Sequence, residues 1–164
     1  MGRVARALPV LLALFVLVPG AARAGDVTKQ EVEGYVGEIG DEHSALGEAI
    51  VLLGRMIQVS LRDPNAVDTP SYGEAISRVE ELIEAIGGAD ALEGRLASLK
   101  AEIREVHQIF IGCVAALERS NGIMDEASYY YSSVAHEEWK QSRQSFIDFT
   151  ETLEALKAEY DIAS

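Results

Sequence analysis

From Val32 onward, core-type positions fall at 32, 36, 39, 43, 46, 50, 53 and 57, in alternating steps of four and three that mark a heptad seam. Thr28 and Glu31 stand at capping-box spacing before it and Asp63-Pro64 closes it, predicting a first helix over about residues 28 to 62. Every seam position is aliphatic except His43. Beside the seam, Gly40, Gly47 and Gly54 recur at heptad spacing along one flank. A glycine inside a helix costs about 1 kcal/mol relative to alanine, so something is expected to approach the backbone closely there. Two occupants fit: a tightly packed neighbouring helix with His43 hydrogen-bonded in the core, or a ligand for which Gly40 and Gly47 open space beside the imidazole.

A connector containing Pro64 and Pro70 leads to a shorter second helix bearing Tyr72, Ile76, Val79, Ile83 and Ile86, which stops at Gly87-Gly88. A third helix is predicted from a cap at Asp90-Ala-Leu-Glu93, with the stripe Leu92, Leu96, Leu99, Ile103, Val106, Phe110, Cys113 and Leu117 and a left-handed stop at Ser120-Asn121-Gly122. The last helix, about residues 123 to 160, carries Trp139, Ser142, Phe146, Phe149, Leu153, Leu156 and Tyr160. Between Tyr131 and Trp139 the steps become four and four through Ala135, the pattern of a stutter. Strand alternation and fixed repeats are absent. The expected fold is all-α: an up-down-up-down antiparallel four-helix bundle of coiled-coil character, with a dimerising coiled-coil hairpin as the alternative. The second helix is about half as long as its neighbours, which predicts a stretch of seam left for a partner, a ligand or the connector to cover.

The first 24 residues differ from the rest. Arg3 and Arg6 precede an apolar run from Leu8 to Val18, Pro19-Gly20 breaks it, and Ala22-Arg23-Ala24 forms a small-x-small cleavage pattern. Residues 1–24 are therefore expected to be a signal peptide, with 25–164 forming one domain that is secreted or periplasmic. The apolar run is shorter than the ~20 residues of a spanning helix, and no stable membrane insertion is expected. Cleavage removes three of the 14 basic residues and none of the 27 acidic ones, taking the net charge from −13 to −16. Such a surface repels phosphate backbones, so nucleic acid is excluded, and a charge-steered protein partner should be basic. Cys113 is the only cysteine and lies on the apolar stripe, so packing holds the fold without an intramolecular disulfide.

His43, His107 and His136 lie on different predicted helices, and none has a second metal-ligating side chain three or four residues away. No metal site is expected, because zinc and di-metal centres need such ligands. Covalent haem attachment needs two cysteines, whereas a non-covalently held haem needs only an axial imidazole. His107 and His136 are equidistant from the predicted turn at Asn121-Gly122 and read as boundary residues of a helix pair that do not form a site. The connector resembles a calcium loop at Asp63, Asn65, Ser71 and Glu74, but Val67 and Asp68 stand where a ligand and the turn glycine belong, so it reads as a helix stop and start. Tyr129, Tyr130 and Tyr131 cannot all face the core, and Tyr131 is assigned to it. Tyr129 and Tyr130, with His136 and Trp139, form a candidate interface, since tyrosine is enriched in such surfaces. Motifs of nucleophilic, phosphate-binding or dinucleotide chemistry are absent. The sequence is thus read as a non-enzymatic exported bundle, without a cofactor, that acts by binding another protein or by self-association. The alternative is a small-ligand carrier, haem first, with a site at His43, Gly40 and Gly47.

Overall fold

A computed structural model describes residues 27–126 and 132–163, and within them the chain is all-helical and bundle-like. Among the described residues there are five α-helices: α1 (Lys29–Arg62), α2 (Pro70–Ile86), α3 (Gly88–Arg95), α4 (Ala101–Glu126) and α5 (Ser132–Glu159). Short 3-10 turns at Pro64–Asp68 and Leu96–Ser98 join α1 to α2 and follow α3.

The first helix forms as its caps dictate. The Thr28 hydroxyl accepts from the Glu31 amide while the Glu31 carboxylate accepts from the Thr28 amide, and Asp63 ends the helix in an extended conformation. Its buried face is wider than one seam. Val32, Ile39, Leu46, Ile50, Leu53 and Ile57 are buried as expected, and Tyr35, Ala49 and Met56 are buried beside them at multiples of seven. Glu42 continues that second flank and is held by Arg95 from α3, at 2.7 and 3.1 Å. An 18-residue window of α1 has mean hydropathy 1.3, so length and composition alone would let it cross a membrane, but 44% of that window is buried in the bundle, as in the core helix of a soluble fold.

The third predicted helix is not one helix. Residues 88–95 form α3, the chain tightens at Leu96–Ser98, Leu99 is extended (φ −87°, ψ 142°), and α4 starts only at Ala101. Leu92, Leu96 and Leu99 keep helical spacing with Ile103, yet the chain turns between them. The turn is held from α4: the Arg104 guanidinium donates to the carbonyls of Leu96 (3.1 Å) and Leu99 (2.7 Å), satisfying backbone groups the broken helix leaves open. Nor does Asp90 cap α3. Gly87 and Gly88 take φ of 94° and 72°, where L-residues are strained, and the Glu118 carboxylate accepts from the Ala89 amide at 3.1 Å. Residues 88–98 thus extend the short α2 past His107, toward Tyr35, and cover the stretch of seam the sequence left bare.

The expected stop at Ser120-Asn121-Gly122 is absent. α4 runs through it to Glu126, Gly122 does not adopt positive φ, and Ser120 and Asn121 are buried in the bundle. The link to α5 falls at 127–131, outside the described residues, as does Tyr131. The stutter therefore coincides with the start of α5, whose Ala135 is fully buried.

α4 packs most extensively on α5. The contacts include reciprocal bonds between Cys113 and Ser142, where each side chain donates to the other's carbonyl at 3.0 Å, and the Ser120 hydroxyl donating to the Ala135 carbonyl at 2.8 Å. α1 runs beside α5, from Lys29 with Asp161 just past the end of α5, through His43 with Thr150, to Ser60 with Ser132 at the other end. The buried apolar side chains form a continuous cluster between these helices.

Candidate functional site

The glycine flank of α1 faces α5, and aromatic rings occupy it. A Cβ on Gly54 would lie 2.5 Å from Cζ2 of Trp139, one on Gly47 would lie 3.2 Å from Cζ of Phe146, and one on Gly40 would meet nothing within 4 Å. With no side chain at 54, the Ile50 carbonyl one turn earlier is accessible from the flank, and the Trp139 indole N–H donates to it at 2.8 Å. The close approach that the glycines predict is made by α5.

His43 is half-buried. Its Nε2 lies 3.0 Å from the Thr150 hydroxyl. That hydroxyl donates to the Phe146 carbonyl at 2.8 Å, so it accepts from His43, fixing the proton on Nε2. Phe146 (ring centroids 4.9 Å apart) and Phe149 (5.3 Å, edge-on) pack against the imidazole, and burial lowers its pKa. Of the three residues assigned to a ligand, His43 and Gly47 thus meet rings of α5 and Gly40 faces open space.

His136 and Trp139 are brought together: their rings stack with centroids 5.5 Å apart and 23° between planes, and the Arg143 guanidinium lies 6.0 Å over the indole. At helical spacing His136, Lys140, Arg143 and Ile147 form one stripe on α5, and Gly47, Val51, Gly54, Gln58 and Leu61 form one on α1. The two stripes border the seam that Trp139 and Phe146 partly fill. Val51, Leu61 and Ile147 are exposed along it. The indole thus lies between an α1 stripe carrying the exposed Val51 and Leu61 and an α5 stripe carrying His136, Lys140, Arg143 and the exposed Ile147. Tyr129 and Tyr130 lie outside the described residues.

His107 is not a boundary residue. It is 1% exposed, its Nε2 donates to the Leu92 carbonyl at 3.0 Å, and its Nδ1 accepts from the Tyr35 hydroxyl at 3.2 Å. The carbonyl can only accept, so the tautomer follows, and burial lowers the imidazole pKa while raising that of the Tyr35 phenol. His107 and His136 occupy separate environments. Sequence spacing misses Tyr35 because Val36 satisfies the seam; the clue is the second flank at 35, 49 and 56. Among the described residues no group of three or more His, Cys, Asp or Glu side chains is placed to hold a metal ion.

Comparison of the chain with protein-family models, curated proteins and solved structures finds no match.

Proposed function

We propose that this chain is an exported, acidic, up-down-up-down antiparallel four-helix bundle that acts by binding another protein rather than by catalysis, with the α1–α5 face as its contact surface. The observation that carries the reading is Trp139. Its inner edge is anchored to the Ile50 carbonyl over Gly54, while His136 stacks on it and Arg143 lies over its ring. A fixed indole under an arginine, on a face that also carries exposed aliphatic residues, has the composition of interface hot spots, which favour Trp, Tyr and Arg held in place before binding. The antiparallel topology is supported by the α1–α5 and α4–α5 pairs above, in which residue numbers fall on one helix as they rise on the other. Export is supported by the Arg3-to-Ala24 pattern, and the acidic excess supports a basic partner.

Cross-linking in the chain's own compartment followed by mass spectrometry tests the reading. A discrete protein adduct, or a dimer, is expected with the wild type and is lost in Val51→Asp/Ile147→Asp, two exposed changes that leave helical circular dichroism intact. The same adduct at equal yield in both proteins would overturn the assignment of this face. Recovery of the chain only as an unadducted monomer would overturn the function.

A further inference from the structure

On the other side of α1 a cleft of about 180 Å³ opens between the end of that helix and the start of α2, with Met56, Val59, Ala66, Tyr72 and Ala75 among its walls and Arg55 bordering it. Three independent features converge there. Tyr72 is 8% exposed, and its buried hydroxyl has no hydrogen-bond partner, a condition that folded proteins rarely leave without a reason. Arg55 is exposed and, like Arg62, Arg104 and Arg143, forms no ion pair among the described residues, so its guanidinium is available at the rim of the cleft. Finally, α2 begins against the cleft without a side-chain cap: the Thr69 hydroxyl donates to the Ala66 carbonyl at 2.7 Å, Pro70 has no N–H, and the Tyr72 and Gly73 amides donate to the Thr69 carbonyl, which leaves the Ser71 amide as the open donor of the first turn.

We propose that this cleft binds a small amphiphilic monocarboxylate. Its alkyl or aryl body lies against Met56, Val59 and Ala75. Its carboxylate is received by Arg55 and, after a rotation of the side chain, by the Tyr72 hydroxyl at the open end of α2. The cleft offers about 180 Å³ and lies open to solvent on one side, room for a small molecule whose charged end stays at the rim. Locally the charge favours an anion, since Arg55 and the start of α2 both disfavour an ammonium group, against the acidic excess of the chain as a whole. An inorganic anion would leave the apolar wall unused. The site is independent of the α1–α5 face and stands or falls separately.

Calorimetric titration of the intact exported protein with hexanoate and with benzoate tests it, with hexylamine and toluene as charge controls. Saturable single-site binding of the carboxylates is expected, with hexylamine inert and toluene weaker. Arg55→Gln, an exposed change, should weaken binding by about tenfold, as loss of one charge-assisted contact does. Val59→Trp, also exposed, should fill the cleft and abolish binding. Tyr72→Phe should weaken binding severalfold yet raise the melting temperature of the unliganded protein, because it removes an unpartnered buried hydroxyl; a structural tyrosine would not separate affinity from stability in this way. Absence of saturable carboxylate binding, equal binding of hexylamine, or unchanged affinity in Arg55→Gln would overturn the proposal. Ile147→Asp, which changes the α1–α5 face from the α5 side and away from Arg55, should bind hexanoate as the wild type does.

Discussion

The indole of Trp139 occupies the place a side chain at Gly54 would take: a Cβ there would lie 2.5 Å from Cζ2 and 2.8 Å from the nitrogen that donates to Ile50. Glycine at 54 is therefore a packing requirement of α5. Gly54→Ala gains helix propensity of about 1 kcal/mol but displaces a large ring and its hydrogen bond, so a net loss of ~1–3 kcal/mol is expected. Gly40→Ala, with open space around it, should stabilise by up to ~1 kcal/mol. Urea unfolding followed by tryptophan fluorescence checks both, and equal effects at 40 and 54 would refute the assignment.

The two hydrogen-bonded histidines should respond differently to removal. His107→Leu leaves the Tyr35 hydroxyl and the Leu92 carbonyl unpaired in the interior, at ~2–4 kcal/mol, whereas His43→Leu leaves Thr150 still bonded to the Phe146 carbonyl and should cost less than ~1.5 kcal/mol. Thermal unfolding of the two variants gives the order directly.

Acid should weaken the fold in two stages. Burial lowers the pKa of both His43 and His107, so the unfolded chain binds protons that the folded chain refuses once pH falls below about 6.5. Stability is full above that pH and declines below it, by at most about 1.4 kcal/mol per pH unit for each histidine. Glu31, bonded to Lys100 and to Thr28, has a pKa of about 2, so its contribution persists below the histidine range and fades only between about 4.5 and 2. Because Glu31 is exposed, solvent screening keeps that second stage small. Melting temperatures from pH 8 to 5 should fall for the wild type and fall less steeply for His43→Leu; a flat profile would contradict the buried neutral imidazoles.

Cys113 is fully buried, donates its thiol to the Ser142 carbonyl, and has its pKa pushed up to about 12 by burial. It should react with a thiol reagent only in denaturant, and non-reducing gels should show no covalent dimer. Cys113→Ser should cost about 1–2 kcal/mol and leave oligomeric state unchanged.

The bounds and main seam of α1 were legible, because caps and heptad spacing are local signals, whereas its second buried flank at Tyr35, Ala49 and Met56 was not. Nor was the division of residues 88–126. Leu92, Leu96 and Leu99 share helical spacing with Ile103, so periodicity runs straight through the turn that Arg104 holds. Asn121-Gly122 offers a stop that α4 ignores, because Ser120 and Asn121 are buried in the bundle and continuing the helix keeps the backbone hydrogen-bonded there. The glycine flank announced a close approach but not what makes it, since nothing local to Gly54 indicates an indole 85 positions later. Tyr72 looked like an ordinary core residue; only the surrounding atoms reveal that its hydroxyl lacks a partner.

The segment from Pro70 to Ser98 is assembled in pieces, broken at Gly87 and again at Leu96, whereas α1 is a single uninterrupted rod. Breaks of this kind set the sequence in which a molecule comes apart. α3 is eight residues long, too short to persist alone, and it is held at its ends by Glu118 and by the pairing of Arg95 with Glu42. It can lift away while the longer helices stay packed, so its amides should exchange with solvent well before theirs. The cost of that opening falls on His107, which loses the Leu92 carbonyl and becomes accessible to protons. A histidine at the centre of the fold thereby reports, through its ionisation, the opening of the chain's least continuous part.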